Sequence, residues 1–253
     1  VGGFAVGLAP SGSNDPFSMR RALNRAIGAY LSSLSRNVGG ALPSFMALCE
    51  IAYQAYPSQP GLPKAWSELA PDLSTFLKAR LVGLFDEAVD AGGNADALAG
   101  FRAPRDVVEA CIEAGFDDLR DLRARIAAVR DARGTPAFAK LAVAFKRAAK
   151  ITKDVVAADP DPSRFDHPAE KALWTAFAEA RNVIARATAS GDYGAAVSLT
   201  SQALAAPIDT FFDRDHGVFV MADDLAVREN RLRMLATIAG ALRAVARLEL
   251  LEG

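Results

Sequence analysis

The chain is poor in the residues on which much of enzyme chemistry depends. Its 253 residues include 2 cysteines and 2 histidines. Cys49 and Cys111 form no CxxC pair and are too few for a disulfide framework, so they read as reduced core residues. His167 and His216 stand far apart in polar turns with no HxxH or HExxH spacing, which argues against a metal site. Excess charge of either sign is also lacking. The 29 lysines and arginines against 30 acids leave a formal net charge of -1, so any nucleic-acid surface must be a local patch. No apolar run reaches the ~18 residues of a membrane span, and no signal peptide is visible. There is no initiator methionine. Val1 opens inside an apolar, glycine-rich stretch, which reads as a piece of a longer protein. Hydrophobic residues make up 51% of the chain, enough for a sizeable core in one or two domains.

The apolar residues recur with helical period, and no alternating stretch or hairpin appears, so the expected class is all-α. After the turn at Ala9 to Ser13, Asp15 and Pro16 read as cap and first residue of a helix with Leu23, Ile27, Tyr30 and Leu34 inward. The glycine turn lacks the GxxxxGK[ST] phosphate pattern and is read as a helix entry. Helices are expected at Ser44 to Tyr56, from Asp72 past Ala88 to a stop at Gly92-Gly93, at Pro104 to Ala114, and at Asp117 to Arg133. Three prolines and a glycine between Pro57 and Pro63 mark a boundary. Further helices are expected at Pro136 to Asp154, Pro168 to Ala189 and Tyr193 to Phe212, with Pro207 kinking or splitting the last. A short extended segment, Val218 to Met221, then leads to a final helix.

That final helix is expected to run from Ala222 to Leu250, capped by Asp223 or Asp224. Leu225, Leu232, Leu235, Ala239, Leu242 and Ala246 form one stripe, broken where Arg228 and Glu229 replace an apolar pair. Arg228 and Arg231 share a face near Asn230, which makes this gap a candidate partner site. The strongest charge signal lies on the Pro136 to Asp154 helix. Lys140, Lys146, Arg147, Lys150 and Lys153 occur with no acid between 140 and 153, and three of them fall at i, i+4 and i+7.

Three stretches resemble one family. GLAPSGSNDPFSMRR (Gly7 to Arg21), FKRAAKI (Phe145 to Ile151), and the ending FFD (Phe211 to Asp213), VMADD (Val220 to Asp224) and RENRL (Arg228 to Leu232) are similar to motifs of the β subunit of bacterial two-subunit glycyl-tRNA synthetase. Asn14 stands where that family usually has lysine, Lys150 where it often has asparagine, and the Asp213 to Val220 turn is about three residues longer. The resemblance covers nearly the whole chain and implies a C-terminal fragment of the β subunit. It implies the end of an HD-like helical domain at 1–60, a helical body at 61–135, and a DALR-type anticodon-binding domain at 136–253, with Ala226-Val227-Arg228 at the naming motif.

On this resemblance the fragment is non-catalytic and needs no cofactor. It belongs to a cytoplasmic, class II, ATP-dependent ligase whose ATP and Mg²⁺ act on the separate α subunit. Its implied partners are tRNA(Gly), the α subunit and the rest of the β subunit, with no DNA and no membrane. Lys146, Arg147, Lys150 and Lys153 are expected to grip phosphates, while Arg228, Asn230 and Arg231 are candidates for contacts to the two anticodon cytosines shared by glycine tRNAs. Two alternatives stand beside this. Asn230 and Arg231 could instead fasten the last helix to Phe211-Phe212, and the whole piece could be a docking scaffold without RNA readout.

Overall fold

The computed structural model describes residues 1–11, 14–15, 17–35, 43–56, 64–86 and 102–252, with side chains 33–35 excepted. Several expectations lie outside these residues: Gly12, Ser13 and Pro16 of the first turn, the Leu34 side chain, the boundary at 57–63, and Ala88 with the Gly92-Gly93 stop. The described residues are helical, as expected, with two isolated backbone bridges and no strand. The helices are α1 Gly2–Ala5, α2 Met19–Ser35, α3 Phe45–Gln54, α4 Trp66–Phe85, α5 Arg105–Ile112, α6 Leu119–Arg133, α7 Pro136–Ile151, α8 Pro168–Ala189, α9 Tyr193–Phe211 and α10 Leu225–Ala239. Two 3₁₀ turns, Pro162–Arg164 and Leu248–Leu250, complete the set. None of these helices is long and apolar enough to cross a membrane. The chain divides into two compact units, one of Val1–Val108 with Gly115–Arg123, the other of Glu109–Ala114 with Ala124–Gly253.

In the first unit α1, α2 and α3 each pack on α4. Phe4, Ala5, Leu69 and Leu73 form a core cluster, edged by Met19, Tyr53, Trp66 and Phe76. The Phe4 and Phe76 rings lie 5.1 Å apart. Two helix starts differ from expectation. Asp15 does cap α2, accepting from the Met19 and Arg20 amides at 2.7 and 3.0 Å, but the first helical residue is Met19. Ser18, at φ 52°, bends the chain out of helical geometry just before it. Asp72 caps nothing: α4 begins at Trp66, runs through Pro71, and leaves Asp72 in an exposed pair with Lys64 at 3.0 Å. Proline removes one hydrogen bond here, yet burying Leu69 and part of Trp66 requires the extra turn.

In the second unit α7 packs against α9, α10 and the Leu248–Leu250 turn, and α8 against α9 and α10. Caps fall where the sequence places them. Thr135 accepts from the Phe138 amide at 3.3 Å, and Asp224 from Ala226 and Val227 at 2.8 and 3.2 Å. The α8–α9 hairpin turns at Gly191, which sits at φ 77°. Pro207 neither splits nor ends α9, because Leu204, Ala205, Ile208 and Phe211 are buried along one face and hold it in register. α7 stops at Ile151, leaving Lys153 in the following turn rather than on the helix.

The largest correction concerns the final helix. It spans Leu225–Ala239, not Ala222 to Leu250, and the chain turns at Gly240. Leu242, Val245 and Ala246 are still buried. The turn is tied to other segments: Val245 O accepts from the Arg125 guanidinium at 3.1 Å, and the Arg247 amide donates to Ala110 O at 2.9 Å. Arg125, itself 2% exposed, also donates to Cys111 O at 2.6 Å. Apolar spacing cannot distinguish a continued helix from a compact turn that buries the same residues.

Candidate RNA-contact face

The cations of α7 divide by what they touch. Lys140 pairs with Asp209 at 2.7 Å. The Lys146 ammonium donates to Leu251 O at 3.3 Å, along the rim of a cavity of about 350 Å³ lined by Phe138, Ala142 and Val143. The Arg147 guanidinium lies 4.8 Å from the centre of the Phe212 ring and donates to Phe212 O at 3.2 Å, satisfying a carbonyl at the end of α9. Lys150 and Lys153 are exposed and make no ion pair among the described residues. Lysines on an exposed face without an ion-pair partner suit phosphates, since no internal pair has to break when they bind.

Near the start of α10 the three candidate residues separate. Arg228 is half-buried and makes no ion pair among the described residues. Asn230 is 5% exposed, and both ends of its amide bond the backbone of Asp161: Oδ1 accepts from the Asp161 amide at 2.7 Å, and Nδ2 donates to the Asp161 carbonyl at 3.0 Å. Arg231 is also 5% exposed. Its Nε donates to Glu170 Oε1 at 3.0 Å, its Nη2 to Glu170 Oε2 at 3.3 Å and to Asp166 Oδ1, and its Nη1 to Phe219 O at 2.8 Å. Glu170, fully buried, accepts in addition from the His167 amide at 2.9 Å and the Asp166 amide at 3.2 Å. Asn230 and Arg231 thus tie α10 to the 161–170 segment and to Phe219. The alternative fastening, to Phe211-Phe212, is not the one formed.

Sequence reasoning did not single out Glu170, Asp166 or Phe219. Glu170 left a trace: it is the third residue of α8 after His167, whose Nδ1 accepts from the Ala169 amide at 3.2 Å, and the two form a capping box. An acid at that position also serves the helix dipole, so the spacing alone gave no reason to bury it.

The turn before Phe219 is built on Asp213. Its Oδ1 accepts from the His216 amide at 2.7 Å and the Asp215 amide at 3.0 Å. Those two amides hold its carboxyl below the usual aspartate range. A depressed folded value stabilises the turn above the unfolded pKa of about 3.9, and that stabilisation fades as pH falls through the folded value. Protonation at low pH is therefore expected to lower the protection of the Asp215 and His216 amides, relative to their intrinsic exchange, before global unfolding. NMR exchange rates read this directly, and unchanged protection down to acid denaturation would contradict it.

Among the described residues no group of three His, Cys, Asp or Glu side chains could hold a metal ion. No family model matches the chain. Over 247 residues it is 34% identical to the glycine–tRNA ligase beta subunit of Desulforudis audaxviator, covering 97% of this chain and 32% of that protein. It is 39% identical over 227 residues to the corresponding subunit of Geobacter sulfurreducens, covering 88% and 28%, and 34% identical over 251 residues to that of Myxococcus xanthus, covering 96% and 32%. The chain thus spans about a third of the length of these relatives. The same subunit recurs across them at an identity that spans nearly the whole chain, and the chain belongs to the family of glycine–tRNA ligase beta subunits.

Proposed function

We propose that this chain is a tRNA-binding helical module of a glycine–tRNA ligase beta subunit, acting in glycyl-tRNA synthesis in the cytoplasm. Glycine activation with ATP and Mg²⁺ is assigned to the separate α subunit. The observation that carries the reading is the exposed, uncompensated pair Lys150 and Lys153, continuous in sequence with Lys146 and Arg147. These four cations bind backbone phosphates and set the position of the RNA. Arg228, half-buried at the start of α10, is the base-edge candidate for the anticodon cytosines. Asn230 and Arg231 hold the frame that presents it, since their polar atoms are already engaged inside the chain. In this reading 136–253 is the anticodon-binding domain.

The test is binding to a glycine tRNA transcript, and to the same transcript with both anticodon cytosines replaced, at two salt concentrations. A preference for the cognate RNA that persists at higher salt is expected. Weak binding that ignores sequence and collapses with salt would instead favour a docking role toward the α subunit. Lys150→Ala separates phosphate contacts from readout: it is expected to weaken both RNAs alike and to lower the slope of log Kd against log salt by about one. An unchanged slope removes Lys150 from the phosphate set.

A further inference from the structure

Residues 218–221 alternate in exposure. Val218 and Val220 are each 9% exposed, Phe219 is 72% exposed and Met221 45%. The ring in water sits on a backbone held at several points. The Val218 amide donates to Phe211 O at 2.8 Å, and the buried Arg231 guanidinium, fixed by Glu170, donates to Phe219 O at 2.8 Å. On the other side the Asp213 turn leads directly into the segment.

The surroundings of the ring carry the choice of partner. Arg147 stacks on Phe212 and donates to its carbonyl, while the adjacent Phe211 carbonyl accepts from Val218, the residue before Phe219. Arg147 is thus held on Phe212, and the backbone just before Phe219 on the adjacent Phe211. On the RNA-binding reading, single-stranded RNA is met by aromatic faces set beside cations: the ring takes the base and the cation its phosphate.

We infer that Phe219 is a stacking platform for an unpaired base of the bound RNA, with Arg147 placed to meet a neighbouring phosphate. This rests on the RNA-binding reading above and adds a contact that the charge pattern does not supply. Stacking is indifferent to base identity, so Phe219 contributes affinity for unpaired RNA, and discrimination stays with base-edge contacts.

The experiment uses the full 253-residue chain and two RNA probes, a glycine tRNA transcript and a fully paired duplex of matched length. Phe219→Ala is expected to melt like the parent chain, because the side chain is exposed. It is expected to bind the transcript roughly tenfold more weakly, with the salt slope and the duplex affinity unchanged. Phe219→Trp restores transcript binding, and Phe219→Leu does not. Several results overturn the inference. Loss of duplex and transcript binding together, or full function in Phe219→Leu, excludes stacking. Normal transcript binding by Phe219→Ala, in a chain whose Lys150→Ala variant is weakened, removes Phe219 alone and leaves the RNA reading standing. If the parent chain binds neither probe, both fail.

Discussion

Glu170→Ala is expected to destabilise the second unit by about 3–5 kcal/mol. Glu170 is fully buried, and its carboxylate accepts from two backbone amides and from the Arg231 guanidinium. Deleting it leaves a cation with 6% side-chain exposure whose one remaining acidic partner among the described residues is Asp166, itself 61% exposed. The penalty comes mainly from that stranded charge, because a satisfied buried pair is worth little more than an apolar pair of the same shape. Two further results follow. Arg231→Ala is expected to cost a similar amount, and the double replacement Glu170→Leu with Arg231→Met far less than the sum of the single ones. Urea unfolding of the four proteins gives these three differences from the parent. A Glu170→Ala protein within about 0.5 kcal/mol of the parent, the range of ordinary surface substitutions, would mean that the ion pair is not a fastening.

The same geometry governs how RNA-binding data on Arg231 are interpreted. A variant at this position releases Phe219 O and the 161–170 segment together. Lost RNA affinity in Arg231→Ala therefore reports on folding unless the melting curve is unchanged. Arg228 carries no such confusion, being half-buried and without an ion pair among the described residues.

The starts of α7, α8 and α10 were legible from a cap residue or a first proline. Thr135-Pro136, His167-Pro168 and Asp224 each mark a start that the backbone adopts. Elsewhere a cap residue misplaced the start even with an apolar period behind it, as at Asp15, whose helix begins only at Met19. Asp72 has the chemistry of a cap, but Trp66 and Leu69 upstream have the apolar surface, and packing decided the start of α4. Leu242 and Ala246 keep the period of α10 beyond its end, because a turn held by Arg125 buries them equally well. At the candidate face, charge was legible and burial was not. Lys150 and Arg231 are both cations in a polar context by sequence, and only tertiary packing sets one in water and the other beside Glu170. Phe219 is the converse. By sequence it is one residue of a short extended segment, and only the fold, with backbone hydrogen bonds from Val218 and Arg231, shows its ring in water.

Gly217→Ala is expected to cost about 2–3 kcal/mol and to displace the segment that follows, through steric conflict with backbone. A Cβ at Gly217 would collide with Asp213 O and come within 2.7 Å of Asp213 N and 2.8 Å of Phe211 O. None of these atoms is the free end of a flexible side chain. Asp213 is held by the amides of Asp215 and His216, and Phe211 O already accepts from Val218. Relief must come from the turn opening, which pulls Val218 and Val220 from the core and moves Phe219 off the carbonyl position set by Arg231. The variant should therefore lose thermal stability and transcript affinity together, while Phe219→Ala loses affinity alone. That contrast tests whether the turn exists to present the ring. If Gly217→Ala melts lower yet binds the glycine tRNA transcript as tightly as the parent, the geometry of 218–221 is a matter of packing and the RNA is held elsewhere on the unit.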